Sequence, residues 1–284
     1  MTFGGISPEC SLRDAQFVVV PVPYDLTSTY QPGSRRGPAA IIEASCNMEL
    51  FDEELKKETY LSGIHTTQPL DVDARGPKSM VSLVRKKISR IAAMDKIPVM
   101  LGGEHSISFG AVQALSEKYP KLTVLQLDAH ADLRDSYQNT AYSHASVARR
   151  FAEKCPLVQV GIRSMSKEDA DYLAKSEVKS YSADFILVNE DWPEKVCDDL
   201  SGDVYVSIDL DAFDPSIMPS TGTPEPGGLN WSQVLRLLKL VAQNSRIRGF
   251  DVVELAPLPG IIAPDFLAAK LVYRFMGYIT VYNH

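Results

Sequence analysis

The chain has 284 residues, 45% of them hydrophobic and 23% charged. This is an ordinary globular composition, and no run reaches the ~18 consecutive apolar residues that a membrane helix needs. A formal net charge of -7 and a pI near 5.3 disfavour a nucleic-acid partner, which requires clustered Lys and Arg, and are compatible with a cationic ligand.

No repeat, low-complexity tract or Gly/Ser linker divides the chain, so residues 1–284 are expected to form one domain. The first residues, MTFGGISPECSLRDAQ, have neither a basic start nor an apolar stretch of the length a secretory signal needs, and a cytoplasmic location is the expectation. In chain order, the first β-branched run is QFVVVPVPY. The helical period of KSMVSLVRKKISRIAAMDK follows and leads into the strand run KIPVMLGG. SISFGAVQALSEKYP is helical, and LTVLQLDAH and LVQVGIRS are strand-like. KEDADYLAKSEV, VYVSIDLDAF, WSQVLRLLKLVAQNS, GFDVVELAP and DFLAAKLVYRFMGYI then alternate helix and strand to the end. Apolar runs of this kind suit strands buried on both faces, and their alternation with helices implies parallel pairing. The expected fold is a three-layer α/β/α sandwich around a mainly parallel sheet. Four cysteines, Cys10, Cys46, Cys155 and Cys197, lie apart with no CxxC pair, and they read as reduced packing residues.

In open parallel sheets, sites form beyond the carboxyl ends of strands. Polar residues gather there: GGEHS after VML, DAHAD after VLQL, SIDLDAFDP after VYV and VVELAP after GFD. A carboxylate inside an apolar run needs a partner or a metal, which makes Asp128, Asp209 and Asp211 poor structural residues. Positions two apart at a strand end point to one side, so Asp128, His130 and Asp132 can converge. A lone DxHxD also fits a polar turn in which Asp caps the next segment. Asp209 and Asp211 repeat the spacing on another strand run, while Asp214 fits a turn before Pro215. His105 alone reads as a polar helix-start residue. Together, two imidazoles and four carboxylates suit manganese or a related hard divalent ion better than a structural zinc. Two ions would balance the four negative charges and generate a nucleophile near neutral pH without any Ser or Cys. Glu254 ends the apolar run GFDVV and must find a cation, either a neighbouring Arg or a ligand guanidinium. His65 and His284 have no carboxylate cluster beside them and are left out of the site. Arg35 and Arg36 read as solvated loop cations. Dinuclear phosphoesterases need an Asn-His pair after a strand run and a later GHxH, and this combination is not found in the sequence.

The motifs GGEHS, DAHADLRD, SHASV, SIDLDAFDPS, GTPEPGGL and DVVELAP, together with GSRRGPAA, resemble the ureohydrolase family of arginases and agmatinases in order and spacing, from about Gly33 to Pro257. The SHASV and GTPEPGGL segments are most similar to the agmatinase branch. The resemblance implies an arginase-like fold and two manganese ions per subunit. One would be held by His105, Asp128, Asp132 and Asp209, and the other by Asp128, His130, Asp209 and Asp211. It further implies that Glu254 pairs with a substrate guanidinium, that Asp132 orients the nucleophile and that His144 relays a proton. The partners implied are a small cationic guanidinium substrate and further copies of the chain, as a trimer or hexamer. The expected reaction releases urea from agmatine, with aminopropylagmatine, guanidinobutyrate and arginine as alternatives, and a non-catalytic member of the fold as a remote one. Asp135, in the loop LRDSYQNTAYS, is the expected acidic partner for the far amine of the substrate. Glu104 stands where many members have Asp, at a position expected to support His105.

Overall fold

The central strands are buried at nearly every position, and the chain achieves this by covering both faces of one sheet with helices. The computed structural model describes residues 1–200 and 202–283. The elements run β1 (Phe17–Val22), α1 (Gly37–Ser45), β2 (Phe51–Asp52), β3 (Lys57–Glu58), β4 (Ile64–Thr66), α2 (Pro77–Ala93), β5 (Ile97–Gly102), α3 (Ser108–Lys118), β6 (Leu122–Leu127), α4 (Val147–Ala152) and β7 (Leu157–Ile162). They continue through α5 (Lys167–Leu173), β8 (Lys179–Ser182), α6 (Ala183–Val188), α7 (Trp192–Asp198), β9 (Asp203–Asp209), α8 (Trp231–Asn244), β10 (Arg246–Val253) and α9 (Ala263–Tyr282). Eight strands form one sheet in the order β4-β1-β5-β10-β9-β6-β7-β8, with every pairing parallel. β2 and β3 form a separate antiparallel ribbon.

The two cores follow from strand alternation. Val19, Leu101, Leu125 and Val206 pack with residues of α1, α8 and α9 on one face. Val18, Val20, Met100 and Val124 pack with α2, α3 and α4 on the other. The three-layer α/β/α expectation is therefore met, and all six strand runs lie in the sheet. The helix read over 78–96 stops at Ala93, just before Asp95 takes a left-handed φ of 56°. The run VYVSIDLDAF leaves the sheet at Asp209, and Leu210–Ala212 form a 3-10 turn. α8 opens on a reciprocal capping box between Asn230 and Gln233. All four cysteines are free, and Cys46 is exposed rather than packed. Among the described residues, no helix is long and apolar enough to cross a membrane.

Candidate metal centre and active site

β5, β10, β9 and β6 are neighbours at the centre of the sheet, so their carboxyl ends open side by side. After β5, a Cβ on Gly103 would lie 2.0 Å from the Tyr24 carbonyl oxygen. Only glycine lets the chain pass beneath it and deliver His105 to the sheet edge. Asp128 follows β6 directly, Asp209 ends β9, and Glu254 follows β10.

His105 is 1% exposed. Its Nε2 lies 2.9 Å from Ser207 Oγ, Ser207 donates to Asp251 at 2.8 Å, and the other Asp251 oxygen accepts the Tyr205 hydroxyl at 2.5 Å. This chain engages Nε2 and leaves Nδ1 buried without a hydrogen-bond partner. Nδ1 faces carboxylate oxygens of Asp128 at 3.1 Å, Asp209 at 3.2 Å and Asp132 at 3.7 Å. On the other side, His130 Nδ1 lies 2.8 Å from Asp211 and 3.7 Å from Asp128. Two groups result, His105 with Asp128 and Asp132, and Asp128 with His130 and Asp211, each with ligand atoms within 4.8 Å of one another. Asp128 belongs to both.

The electrostatics ask for a cation. Burial first, and the charge of neighbouring carboxylates second, push Asp132 and Asp209 well above the ordinary carboxylate range. An orphaned imidazole nitrogen among crowded carboxylates is the arrangement that a divalent ion completes, and a mixed His/Asp set suits a manganese-like ion. The residues present therefore fit a metal centre. Supports are already in place: Gln126 donates to Asp128 at 2.7 Å, and Asp211 accepts the backbone N–H of Ala129 at 3.0 Å.

Glu254 stands beside this cluster. Its Oε1 accepts the backbone N–H of His105 at 2.7 Å, and among the described residues no Lys or Arg lies within ion-pair distance of it. Burial, then the charge of Glu104, push it up to about 8, so a cation arriving there would be strongly favoured. Glu254 and Asp132 both hold left-handed backbone, with φ of 67° and 52°, strain of the kind that collects at functional sites. A cleft of about 270 Å³ opens over Asp132, His130 and Glu254, walled by Ser28, Thr29, Tyr137, His144 and Thr223. His144 packs edge-on against Tyr137 at 5.8 Å. Burial first, then the charges of His130 and His105, push its imidazole down to about 4.

The Arginase family model matches residues 15–277. The chain belongs to the arginase family. It is 41% identical to an N(1)-aminopropylagmatine ureohydrolase of Thermus thermophilus, with 93% of this chain and 90% of that one covered. It is 32% identical to an agmatinase of Pyrococcus horikoshii, with 95% and 94% covered. The crystal structure of an agmatine ureohydrolase of Thermoplasma volcanium superposes with a TM-score of 0.89 at 33% identity, covering 98% of this chain and 94% of that one. The resemblance read from the motifs holds on the agmatinase side of the family, and the chain is a hydrolase of guanidino compounds.

Within this ureohydrolase the structure brings His105, Asp128, His130, Asp132, Asp209, Asp211, His144 and Glu254 to one sheet edge. Other expectations need correction. DAHAD does not converge by strand alternation alone, because β6 ends at Leu127 and Asp132 is turned in by its left-handed backbone. Asp128 does cap a turn, accepting the backbone N–H of His130 at 2.6 Å, while it also faces His105. Asp135 is turned outward to Arg150 at 2.9 Å and does not line the cleft, because this half-buried cation on α4 captures it. Glu104 supports Thr27 and Ser106 instead of the His105 ring. Arg35 pairs with the buried Asp25 at 2.5 Å, and Arg36 donates to the Pro257 carbonyl at 3.3 Å, so these loop cations are tied to the fold. His65 bonds the Cys10 carbonyl, away from the site. His284 lies outside the described residues. Ser207, Asp251 and Gln126 were not read from the sequence as site residues. Asp251 had a legible signal, a carboxylate inside the apolar run GFDVV.

Proposed function

We propose that this ureohydrolase hydrolyses agmatine to urea and putrescine on a centre of two manganese ions. The observation that carries the reading is a buried carboxylate without a cationic partner, Glu254, beside a two-part His/Asp cluster at the floor of one cleft. His105, Asp128, Asp132 and Asp209 would hold one ion, and Asp128, His130, Asp209 and Asp211 the other. Such ions would supply an activated water near neutral pH as the nucleophile for the guanidinium carbon. Glu254 accepts the forked N–H donors of the guanidinium and holds its carbon above the cluster. Asp132 orients the attacking water, and His144, in the cleft wall, relays to the departing amine the proton that this water gives up. Assembly as a trimer or hexamer and action in the cytoplasm belong to the same reading and rest on family resemblance.

A second reading takes N(1)-aminopropylagmatine as substrate. It is favoured by the 41% identity to the Thermus protein against 32% for the Pyrococcus agmatinase, and by the outward turn of Asp135, which leaves the far end of an agmatine chain without that partner. The test is urea release with added manganese from agmatine, aminopropylagmatine, guanidinobutyrate and arginine. Both amine-ended compounds should exceed the other two in kcat/KM by at least about tenfold, or ~1.4 kcal/mol. Arg134, which lies over Tyr137 at the cleft, makes guanidinobutyrate the sharpest competitor. Equal rates with arginine and agmatine would refute the substrate assignment.

A further inference from the structure

Glu104 is fully buried and lies next to a candidate metal ligand, and among the described residues it forms no ion pair and no hydrogen bond to that ligand's ring. Its two oxygens are instead committed to one loop and one helix start. Oε2 accepts the backbone N–H of Thr27 at 2.6 Å, and Oε1 accepts the Ser106 hydroxyl at 2.6 Å. The Glu104 N–H in turn donates to the Tyr24 carbonyl at 2.8 Å, so residues 24–27 are bound on two sides by this residue. Thr27 carries the connection onward. Its hydroxyl accepts the backbone N–H of His144 at 3.1 Å and lies 3.3 Å from the ring nitrogen Nδ1. Ser143 Oγ is 3.4 Å from the same nitrogen. The two residues after Thr27, Ser28 and Thr29, form part of the cleft wall.

We infer that Glu104 and Thr27 are positioning residues for the ureohydrolase reaction: the buried carboxylate fixes the Thr27 backbone, and the Thr27 hydroxyl fixes the imidazole of His144 at the cleft. The inference rests on the reading that His144 takes part in proton transfer. A glutamate reaches Thr27 across the sheet edge while leaving Nε2 of His105 to Ser207, and this gives the residue after Gly103 a task separate from holding the metal-binding imidazole. Because a group misplaced by about 1 Å can cost up to about a hundredfold in rate, a relay of this kind acts on kcat.

The test is a double-mutant cycle on the full chain loaded with manganese, with kcat, KM, bound manganese and thermal midpoint measured for each variant. Thr27→Val removes the hydroxyl and keeps the shape, and it should lower kcat by about tenfold or more, with KM within about twofold and bound manganese unchanged. Thr27→Ser restores the hydroxyl and should recover most of that loss. In a His144→Ala background, Thr27→Val should lower kcat no further, because the group it positions is gone. Glu104→Asp, one methylene shorter, supplies an independent route should Thr27→Val fold poorly, and it should show the same dependence on His144. Equal losses from Thr27→Val with and without His144, or a Thr27→Ser variant as impaired as Thr27→Val, overturn the positioning role while leaving the function assignment standing. A His144→Ala enzyme with undiminished kcat overturns the proton-transfer reading itself, and this inference with it.

Discussion

Two acidic clusters in this protein meet opposite fates. At the far end of the chain, Arg274 on α9 is 5% exposed and reaches Asp52 at 2.7 Å, Glu53 at 2.5 Å and Glu54 at 2.6 Å. Lys239 adds a second cation at 2.9 Å from Glu54, and Tyr278 donates to the same carboxylate at 2.8 Å. At the sheet edge, Asp128, Asp132, Asp209 and Asp211 have no Lys or Arg within ion-pair distance among the described residues, only two imidazoles. The difference separates a structural cluster from a functional one. Where the chain supplies its own cation, the charges close on themselves and fasten the β2–β3 ribbon to α9 and α8. Where it does not, the missing charge must come from outside, and the site is built to receive it.

The largest effects should come from breaking each cluster at its centre. Asp128→Asn removes the one carboxylate common to both His/Asp groups. It should abolish manganese binding and lower urea release by well over the ~100-fold that loss of an outer partner costs, with the folded content by circular dichroism unchanged. A variant that retains both metal and turnover would sink the assignment. Arg274→Ala does the converse. It strands the nearly inaccessible carboxylate of Asp52 and should cost about 3–5 kcal/mol in denaturant unfolding, while manganese content and kcat stay at the parent level. Loss of metal in the Arg274 variant would show that the two clusters are not independent.

The same contrast explains what sequence could deliver. The six interior strands were legible because each carries a short β-branched, mainly apolar run bounded by turn residues. β4 and β8 escaped because Ile64–Thr66 and Lys179–Ser182 are short, polar edge strands whose burial is partial. The candidate metal cluster was legible because aspartates and histidines gather where apolar runs end, at three strand ends. Asp251 obeys the same rule but faces Tyr205 and Ser207 inside the sheet, and its partners lie 46 and 44 residues away. The Arg274 cluster gave no signal, because Asp52-Glu53-Glu54 reads as a solvated acidic turn until α9 packs over it. Thr27 and Glu104 are 77 residues apart, and neither type announces a role. Asp135 was misread for a related reason: an acidic residue near a site motif says nothing of where its side chain turns, and Arg150, 15 residues on, decides that.

The smallest effect, and the one that sharpens the comparison most, is the sign of the pH dependence. Asp132 and Asp209 are raised in the metal-free fold, so the folded state holds protons that the unfolded chain has released. Stability from these groups is therefore present at low pH and lost as pH rises from the ordinary carboxylate range toward their raised values. Manganese competes for the same oxygens, so its affinity should climb across that window. Glu54 behaves oppositely. Burial works against its charge, yet hydrogen bonds from Lys239, Tyr278 and Arg274 hold it below its ordinary value of 4.5, so its contribution is present at neutral pH and lost on acidification. Thermal scans with and without manganese at about pH 5 and 7.5 separate the two. At a metal concentration about a hundredfold above Kd, stabilisation should reach ~2.7 kcal/mol, and at fixed metal the shift in Tm should be larger at the higher pH. In Asp128→Asn the shift should vanish, while in Arg274→Ala it should persist on a lower baseline. A manganese shift that does not change between the two pH values would mean that the sheet-edge carboxylates are already ionised without an ion, and that the chain had supplied the missing charge after all.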